Sequence, residues 1–362
     1  PDPYVFVTIL TLLVFALGVG LTDSSPLDMV VHWGDGFWGL LSFTMQMVVV
    51  LVAGYVLAIS PVFKKLLSTL ANLAKSPGSA ILLVSFVSLL ACWINWGFGL
   101  VIGALFAKEI AKKVTTVDYR LLIAGAYSGF IIWHGGLAGS IPLSIATADH
   151  PFAGIMGVVP TSETIFSTYN IIIVIALIIT VPLLNRLMMP KPADTFSIDP
   201  KLLEDEVEVE VEEIKDKITP ADRLENSVLL SMLIGALGLV YLVQHFATNG
   251  FDLNLNIVNL IFFILGIIFH GTPKQFLAAI ATAVKTAGGI IFQFPFYAGI
   301  MGMMVTSGLA GVMSEWFVSI STVATFPLFA FYSAGLVNFF VPSGGGQWAV
   351  QAPIMLDAAQ SL

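Results

Sequence analysis

Apolar runs long enough to cross a bilayer recur along this chain, and they restrict it to a membrane fold. Crossing the hydrocarbon core takes about 20 apolar residues, and residues 4–21, 37–60, 165–187, 228–246, 255–270 and 287–305 supply candidates. Only 10% of the 362 residues are charged, against about a quarter in soluble domains. Lipid offers no partner to backbone N–H and C=O groups, so these runs must be helical. The expected fold class is an all-α polytopic membrane protein. A single cysteine, Cys92, excludes a disulfide framework and a multi-cysteine metal site.

Two further apolar regions are interrupted. Residues 79–107 are broken by CWINWGFG at 92–99, which leaves a stretch too long for one crossing and too short for two. It reads as a re-entrant hairpin with its tip at 95–99. Residues 121–148, broken by WHGGLAGS at 133–140, read as a discontinuous helix that crosses. A third break, NFFVPSGGGQW at 338–348, follows TFPLFAFYSAGLV and belongs to a second hairpin that begins at about residue 325. With the N-terminus cytoplasmic and the first hairpin opening from that side, all 15 Lys and Arg residues fall on one face, as the positive-inside rule asks.

Residues 190–227 carry most of the acid, including EVEVEVEE at 206–213. Dense like charge argues for a solvated cytoplasmic linker over a buried strand. The chain then divides into a first membrane repeat, 1–189, the linker, and an incomplete second repeat, 228–362. Hairpins that open from opposite faces are what two inverted repeats produce, and such transporters bind substrate near mid-membrane at broken helices.

Backbone leaves helical form at membrane depth only where protein or water satisfies it, so the breaks are candidate binding sites. Freed carbonyls suit Na⁺, and half-helix N-termini suit an anion. The candidate residues are Asn95, Gly97 and Gly99, then His134, Gly135, Gly136 and Ser140, and then Asn338, Ser343, Gly344, Gly345, Gly346 and Gln347. Asn95, Gly135 and Asn338 are the candidate Na⁺ positions. The glycines are expected to use backbone angles that other residues avoid; the alternative is close helix packing. His134 is the titratable side chain inside a break, suited to a carboxylate or a proton, or else a neutral ring bonded to a carbonyl. His32, His150, His245 and His270 sit at segment ends and read as interfacial. Trp93, Trp96, Trp133 and Trp348 flank the breaks, either walling an apolar pocket or simply packing.

No phosphate loop, metal cluster or nucleophile triad is present in the sequence, so an ion gradient, H⁺ or Na⁺, is the expected energy source and no cofactor is called for. The partners expected are a small carboxylate and the lipid bilayer, with no nucleic acid, and a homodimer is compatible with this reading. An intramembrane enzyme and a receptor using the acidic loop are the readings from other classes.

The strings WGDGFWGLLSFTMQM, CWINWGFGLVIGALFAKEIAKKV, SIDPKLLEDE, QFPFYAGIMGMM and NFFVPSGGGQWAVQAPI run in order through the whole chain. Together they closely resemble the short-chain fatty acid transporter family, the acetoacetate and butyrate uptake type. The resemblance implies a multi-pass permease of the bacterial inner membrane for short monocarboxylates. It also implies membership of the wider ion-transporter superfamily, with inverted repeats, paired re-entrant hairpins, broken helices and elevator-type motion. Carried onto this chain, the superfamily's site elements are Asn95, Gly97 and Gly99; Gly135, Gly136 and Ser140; and Asn338, Ser343, Gly344, Gly345 and Gly346. The family has glycine where His134 stands and histidine where Gln347 stands. Family chains also continue past Leu362, so this chain is expected to be truncated at its C-terminus before the second hairpin is finished. A transporter of dicarboxylates, citrate or another small anion is the rival reading, although basic residues confined to one face favour a monoanion.

Overall fold

A computed structural model describes residues 2–203 and 219–362; the EVEVEVEE stretch lies outside them. Every regular element among the described residues is helical. The chain opens with α1 (Pro3–Leu21), α2 (Pro26–Gly36), α3 (Leu41–Ala58) and α4 (Pro61–Ala71). Next come α5 (Pro77–Ile94), α6 (Trp96–Lys113), α7 (Tyr119–Ser128), a 3₁₀ stretch Gly129–Gly135, α8 (Ser140–Ile145) and α9 (Ala153–Met156). They are followed by α10 (Thr168–Leu187), α11 (Pro220–Glu225), α12 (Val228–Asn249), α13 (Leu255–His270) and α14 (Pro273–Val284). The last four are α15 (Gly288–Thr306), α16 (Leu309–Ile320), α17 (Phe326–Phe340) and α18 (Gly344–Ser361).

Helices α1, α3, α5, α10, α12 and α15, and the interrupted run Tyr119–Ile145, are long and apolar enough to span. The protein is therefore a multi-pass membrane protein. Five of the six uninterrupted apolar runs found in the sequence are among these helices to within a few residues; the sixth, 255–270, is α13, which at 16 residues is a shorter apolar helix. The stretches 22–35 and 307–325, which carry no Lys or Arg, contain α2 and α16. Their signal was local: Ser25 caps α2, accepting from the Asp28 N–H while Asp28 accepts from the Ser25 N–H, with Pro26 in the first turn. The same Ser/Thr-Pro start opens α4, α5, α11 and α14.

Two compact units result. The first comprises Pro1–Val48, Ser144–Val159 and Ala287–Leu362; the second comprises Val49–Leu143 and Pro160–Thr286. Compactness thus interleaves segments from both sides of the linker, a different division from the linear repeats. Within the first unit α2 crosses α15 on small residues. A Cβ on Gly36 would stand 2.7 Å from the Gly302 Cα, and one on Gly299 would stand 2.6 Å from the Trp33 ring, so bulk here would part the helices. Trp33, Phe37 and Phe296 pack around that crossing at 4.8–6.2 Å between centroids.

The second unit holds two buried clusters. Val56 of α3 packs with Ile264 and Ile267 of α13 and with Phe276, Ala279 and Ala283 of α14. Leu89 and Cys92 of α5 pack with Ile132 and with Val174 of α10. His270 is 6% exposed and donates from Nε2 to the Val56 carbonyl at 2.8 Å. It pins α13 to α3 instead of facing the interface. In the first unit His150, also 6% exposed, donates from Nε2 to the Gly157 carbonyl while its Nδ1 accepts from the Phe152 N–H. That pairing makes the ring part of a structural clasp, again not an interfacial ring.

Much of the front of the linker is exposed, and one set of contacts ties it to α7. Asp118, 5% exposed, caps α7 through the Leu121 N–H and accepts from Arg120 and from the Phe196 N–H, while the Tyr119 N–H donates to the Phe196 carbonyl at 2.8 Å. Arg120 also lies over the Phe196 ring and donates to the Asp194 carbonyl. The Arg120 hydrogen bond, followed by the Phe196 and Leu121 amides, holds the Asp118 carboxyl down to about 2. Because that is below the ordinary value of about 3.9, the clasp's stabilisation is complete above about pH 4 and is lost as pH falls through about 2. Asp118→Asn turns one acceptor into a donor facing the Phe196 N–H. Trypsin cleavage after Lys201 is then expected to rise several-fold at neutral pH, and an unchanged rate would count against the clasp.

Candidate functional site

The first break forms in the second unit. Asn95 leaves helical geometry at φ −158° and ψ 127°, ending α5 and starting α6. Its Oδ1 accepts from the Phe98 N–H at 2.9 Å and its Nδ2 donates to the Val50 carbonyl at 3.4 Å, fully buried. Gly54 makes room for it: a Cβ there would stand 2.6 Å from the Asn95 Oδ1. The two arms pair as an antiparallel hairpin, with Gly99 against Cys92 and Gly103 against Ser88.

The broken segment is stitched to that hairpin. It leaves α-helical form at Gly129, earlier than the 133–140 expected, because a Cβ on Gly129 would meet the Ser88 backbone. The Ser88 hydroxyl donates a short hydrogen bond to the Ala126 carbonyl. Further along, the Leu137 N–H donates to the Trp93 carbonyl at 2.6 Å, and a Cβ on Gly136 would overlap that carbonyl. The Gly135 carbonyl accepts from Trp93 Nε1 at 3.2 Å and from Asn170 Nδ2 at 3.0 Å. Both lone pairs are therefore engaged, and this carbonyl is not available to Na⁺ in this geometry. Asn185 donates to Ser85 and Ser128 at 2.9 and 2.8 Å. Asn170 and Asn185 were missed in the sequence, yet two carboxamides in the otherwise apolar α10 are a readable signal.

His134 lies in this segment, its ring 4.5 Å from that of Trp133. It makes no side-chain hydrogen bond to a described residue, so the neutral ring bonded to a carbonyl is not what forms. Ser140 starts α8 and is 4% exposed. Trp96, Phe130 and Trp133 form an apolar cluster at the hairpin tip, with centroids 4.2–6.4 Å apart.

The third break forms in the first unit and repeats the local construction of the first. Ser343, at φ −151° and ψ 120°, caps α18 by accepting from the Gly346 N–H at 3.3 Å. Gly344, Gly345 and Gly346 are thus the first helical turn, not an unwound tip. Gly345 lies against Phe43 and Gly346 against Tyr297, each where a Cβ would overlap the ring, and Phe294 stands at contact distance from Gly345. Gly97 and Gly99 are likewise helical, packed on Leu51 and Cys92. Positive φ occurs among the described residues at Gly157, Gly250, Gly271 and Gly308, away from all three breaks. The glycines at the breaks therefore serve close packing, the alternative held open above, because the helices meet there without room for a methyl group.

A polar ladder closes this hairpin. Asn338 on α17 donates to the Gln347 Oε1 at 2.9 Å; Gln347 Nε2 donates to the Ala334 carbonyl and to Gln351 Oε1, and Gln351 donates to Ser333. Gln351 and Ser333 had not been singled out. Intramembrane hydrogen bonds average about 0.6 kcal/mol each, so Gln347→Ala, which removes three, is expected to cost about 1–2 kcal/mol in a detergent unfolding assay. Trp348 packs edge-on to Phe152. Helices α17 and α18 flank this break as α5 and α6 flank the first. The expectation that the chain stops before this hairpin is finished finds no support.

Both hairpins place a buried or half-buried cap, a first turn of N–H groups and carboxamide side chains at a helix break, with the broken segment adding a histidine. A family model described as short chain fatty acid transporter matches residues 1–362. The chain belongs to that family. Two bacterial relatives named "Putative short-chain fatty acid transporter" are similar over the whole chain and over 82% of their own length. The one from Escherichia coli (strain K12) is 49% identical and the one from Haemophilus influenzae (strain ATCC 51907 / DSM 11121 / KW20 / Rd) is 47% identical. A crystal structure of the YdaH transporter from Alcanivorax borkumensis, described as having an unusual topology, matches with a TM-score of 0.56. It covers 100% of this chain and 83% of that one at 17% identity, a likeness of fold. Membership of a short-chain fatty acid transporter family sets the intramembrane enzyme reading aside.

Proposed function

We propose that this chain is a secondary active transporter of short-chain monocarboxylates such as acetoacetate or butyrate, coupled to H⁺ or Na⁺. The names carried by its family and bacterial relatives support that cargo class. The observation that carries the chemical reading is the pair of capped breaks at Asn95 and Ser343. Each offers the positive end of a helix together with carboxamide donors in an apolar setting, and no Lys or Arg occurs in 92–99, 133–140 or 338–348. Donors without a full positive charge suit one carboxylate; a dicarboxylate or citrate would call for cationic partners.

In this reading each break is by itself a candidate anion-binding element: Asn95 with the Trp96–Phe130–Trp133 cluster beside it in the second unit, and Asn338, Ser343 and Gln347 in the first. His134 would exchange a proton if H⁺ is the coupling ion, and the side-chain oxygen of Asn95 or that of Asn338 would be a donor, each within its own unit, if it is Na⁺. The transporter would work in a bacterial inner membrane with its N-terminus and linker cytoplasmic, by an elevator-type movement of inverted repeats. Uptake of labelled butyrate into proteoliposomes, with Na⁺ and pH gradients imposed separately, is expected to show accumulation under one of them. No uptake under either would overturn the proposal. If H⁺ is coupled through His134, His134→Gly should abolish the pH-driven component and leave exchange of butyrate across the membrane intact.

A further inference from the structure

In the second unit, α5 and α10 leave a groove between them that no side chain fills. It encloses about 440 Å³ and is lined by Leu82, Leu83 and Phe86 of α5 and by Ile178, Ile179 and Leu183 of α10. Phe86, Ile179 and Leu183 are 42%, 55% and 50% exposed. Both helices are long and apolar enough to span, so the groove opens toward lipid.

One end of the groove is polar and cationic. Ser79, in the first turn of α5, lines it, and Arg186 follows Leu183 by one turn of α10. The Arg186 Nε lies 3.4 Å from where a Cβ on Gly78 would stand, so the guanidinium reaches across to α5 over a residue with no side chain. No carboxylate pairs with Arg186 among the described residues. Lys75, exposed and one residue before the Ser76 cap, adds a second cation without an acidic partner. An apolar trough that ends in unpaired positive charge at the last turn of a spanning helix complements an amphiphile with an anionic head. A guanidinium also matches phosphate oxygens in fork geometry.

We propose that the α5–α10 groove binds an anionic phospholipid, with an acyl chain along Leu83, Phe86 and Ile179 and the phosphate on Arg186. This site is independent of the cargo and would hold whatever the transporter carries. Full-length protein purified in mild detergent should retain phosphatidylglycerol in preference to phosphatidylcholine of the same chain length in native mass spectra. The expected preference is about fivefold, the share one basic side chain contributes against anionic lipid. Arg186→Gln should abolish that preference and Arg186→Lys should keep most of it.

On the unsubstituted protein, phosphatidylglycerol with a photoreactive group in its acyl chain should label residues 79–86 and 178–183. Equal retention of the two lipids, an unaltered preference in Arg186→Gln, or label confined to other helices would overturn the proposal. Retained lipid should survive excess inorganic phosphate and excess butyrate; displacement by either would assign the groove to a small anion instead.

Discussion

Gly136→Ala is expected to unfold or severely destabilise the protein, by about 3 kcal/mol or more in a detergent melt, and to eliminate uptake. The added methyl group would overlap the Trp93 carbonyl and stand 2.8 Å from the Trp93 C and Cα atoms. Those are backbone atoms, with no flexible side-chain end to yield, so the cost belongs at or beyond the upper end of the roughly 1–3 kcal/mol usual for overpacking. It would also displace the Leu137 N–H from the Trp93 carbonyl. Gly34→Ala is the matched control. It lies within α2, with nothing within 4 Å of the added Cβ, and alanine there should be neutral or stabilising by up to about 1 kcal/mol. Equal melting behaviour of the two variants would refute the packing argument at the broken segment.

Asn95→Ala should have the next largest effect, about 2–5 kcal/mol. Losing an N-cap side chain costs about 1–2 kcal/mol, and here the Phe98 N–H is left buried without a partner, a further penalty of about 1–3 kcal/mol. Ser343→Ala removes the equivalent cap from a half-buried position with a longer, 3.3 Å bond, so about 1 kcal/mol is expected. Asn95→Ser keeps a cap acceptor and should recover part of the stability. It loses the Nδ2 donor, so butyrate uptake that stays low in the refolded Asn95→Ser protein would tie that donor to the cargo. Uptake restored in step with stability would leave Asn95 a purely structural cap.

The three breaks were legible because a bilayer penalises them: a Gly, Asn, Pro or His cluster inside an apolar run has few cheap explanations. The glycines within them were misread for a physical reason. Freedom of φ is a property of the residue, but whether it is used depends on what stands beside it. Gly345 faces Phe43 and Gly136 faces Trp93, partners far along the chain that no local pattern points to. The α2 and α16 helices were passed over because reading for span length overrode the capping signals; Ser25-Pro26 with Asp28 was readable. The tie between the linker and α7 could not have been read, since Asp118 and Phe196 meet across 78 positions.

By itself the sequence determined the environment, the positions of most apolar helices and, to within a few residues, where they break. Those follow from hydropathy, from capping chemistry and from the obligation to satisfy backbone groups in lipid, all local along the chain. Tertiary structure alone decided that the break glycines are contact surfaces, that the Gly135 carbonyl is saturated by Trp93 and Asn170, and that Arg186 stands at the end of an apolar groove. Each of these depends on which atoms of distant segments arrive within a few ångströms, and packing sets that for the whole fold at once.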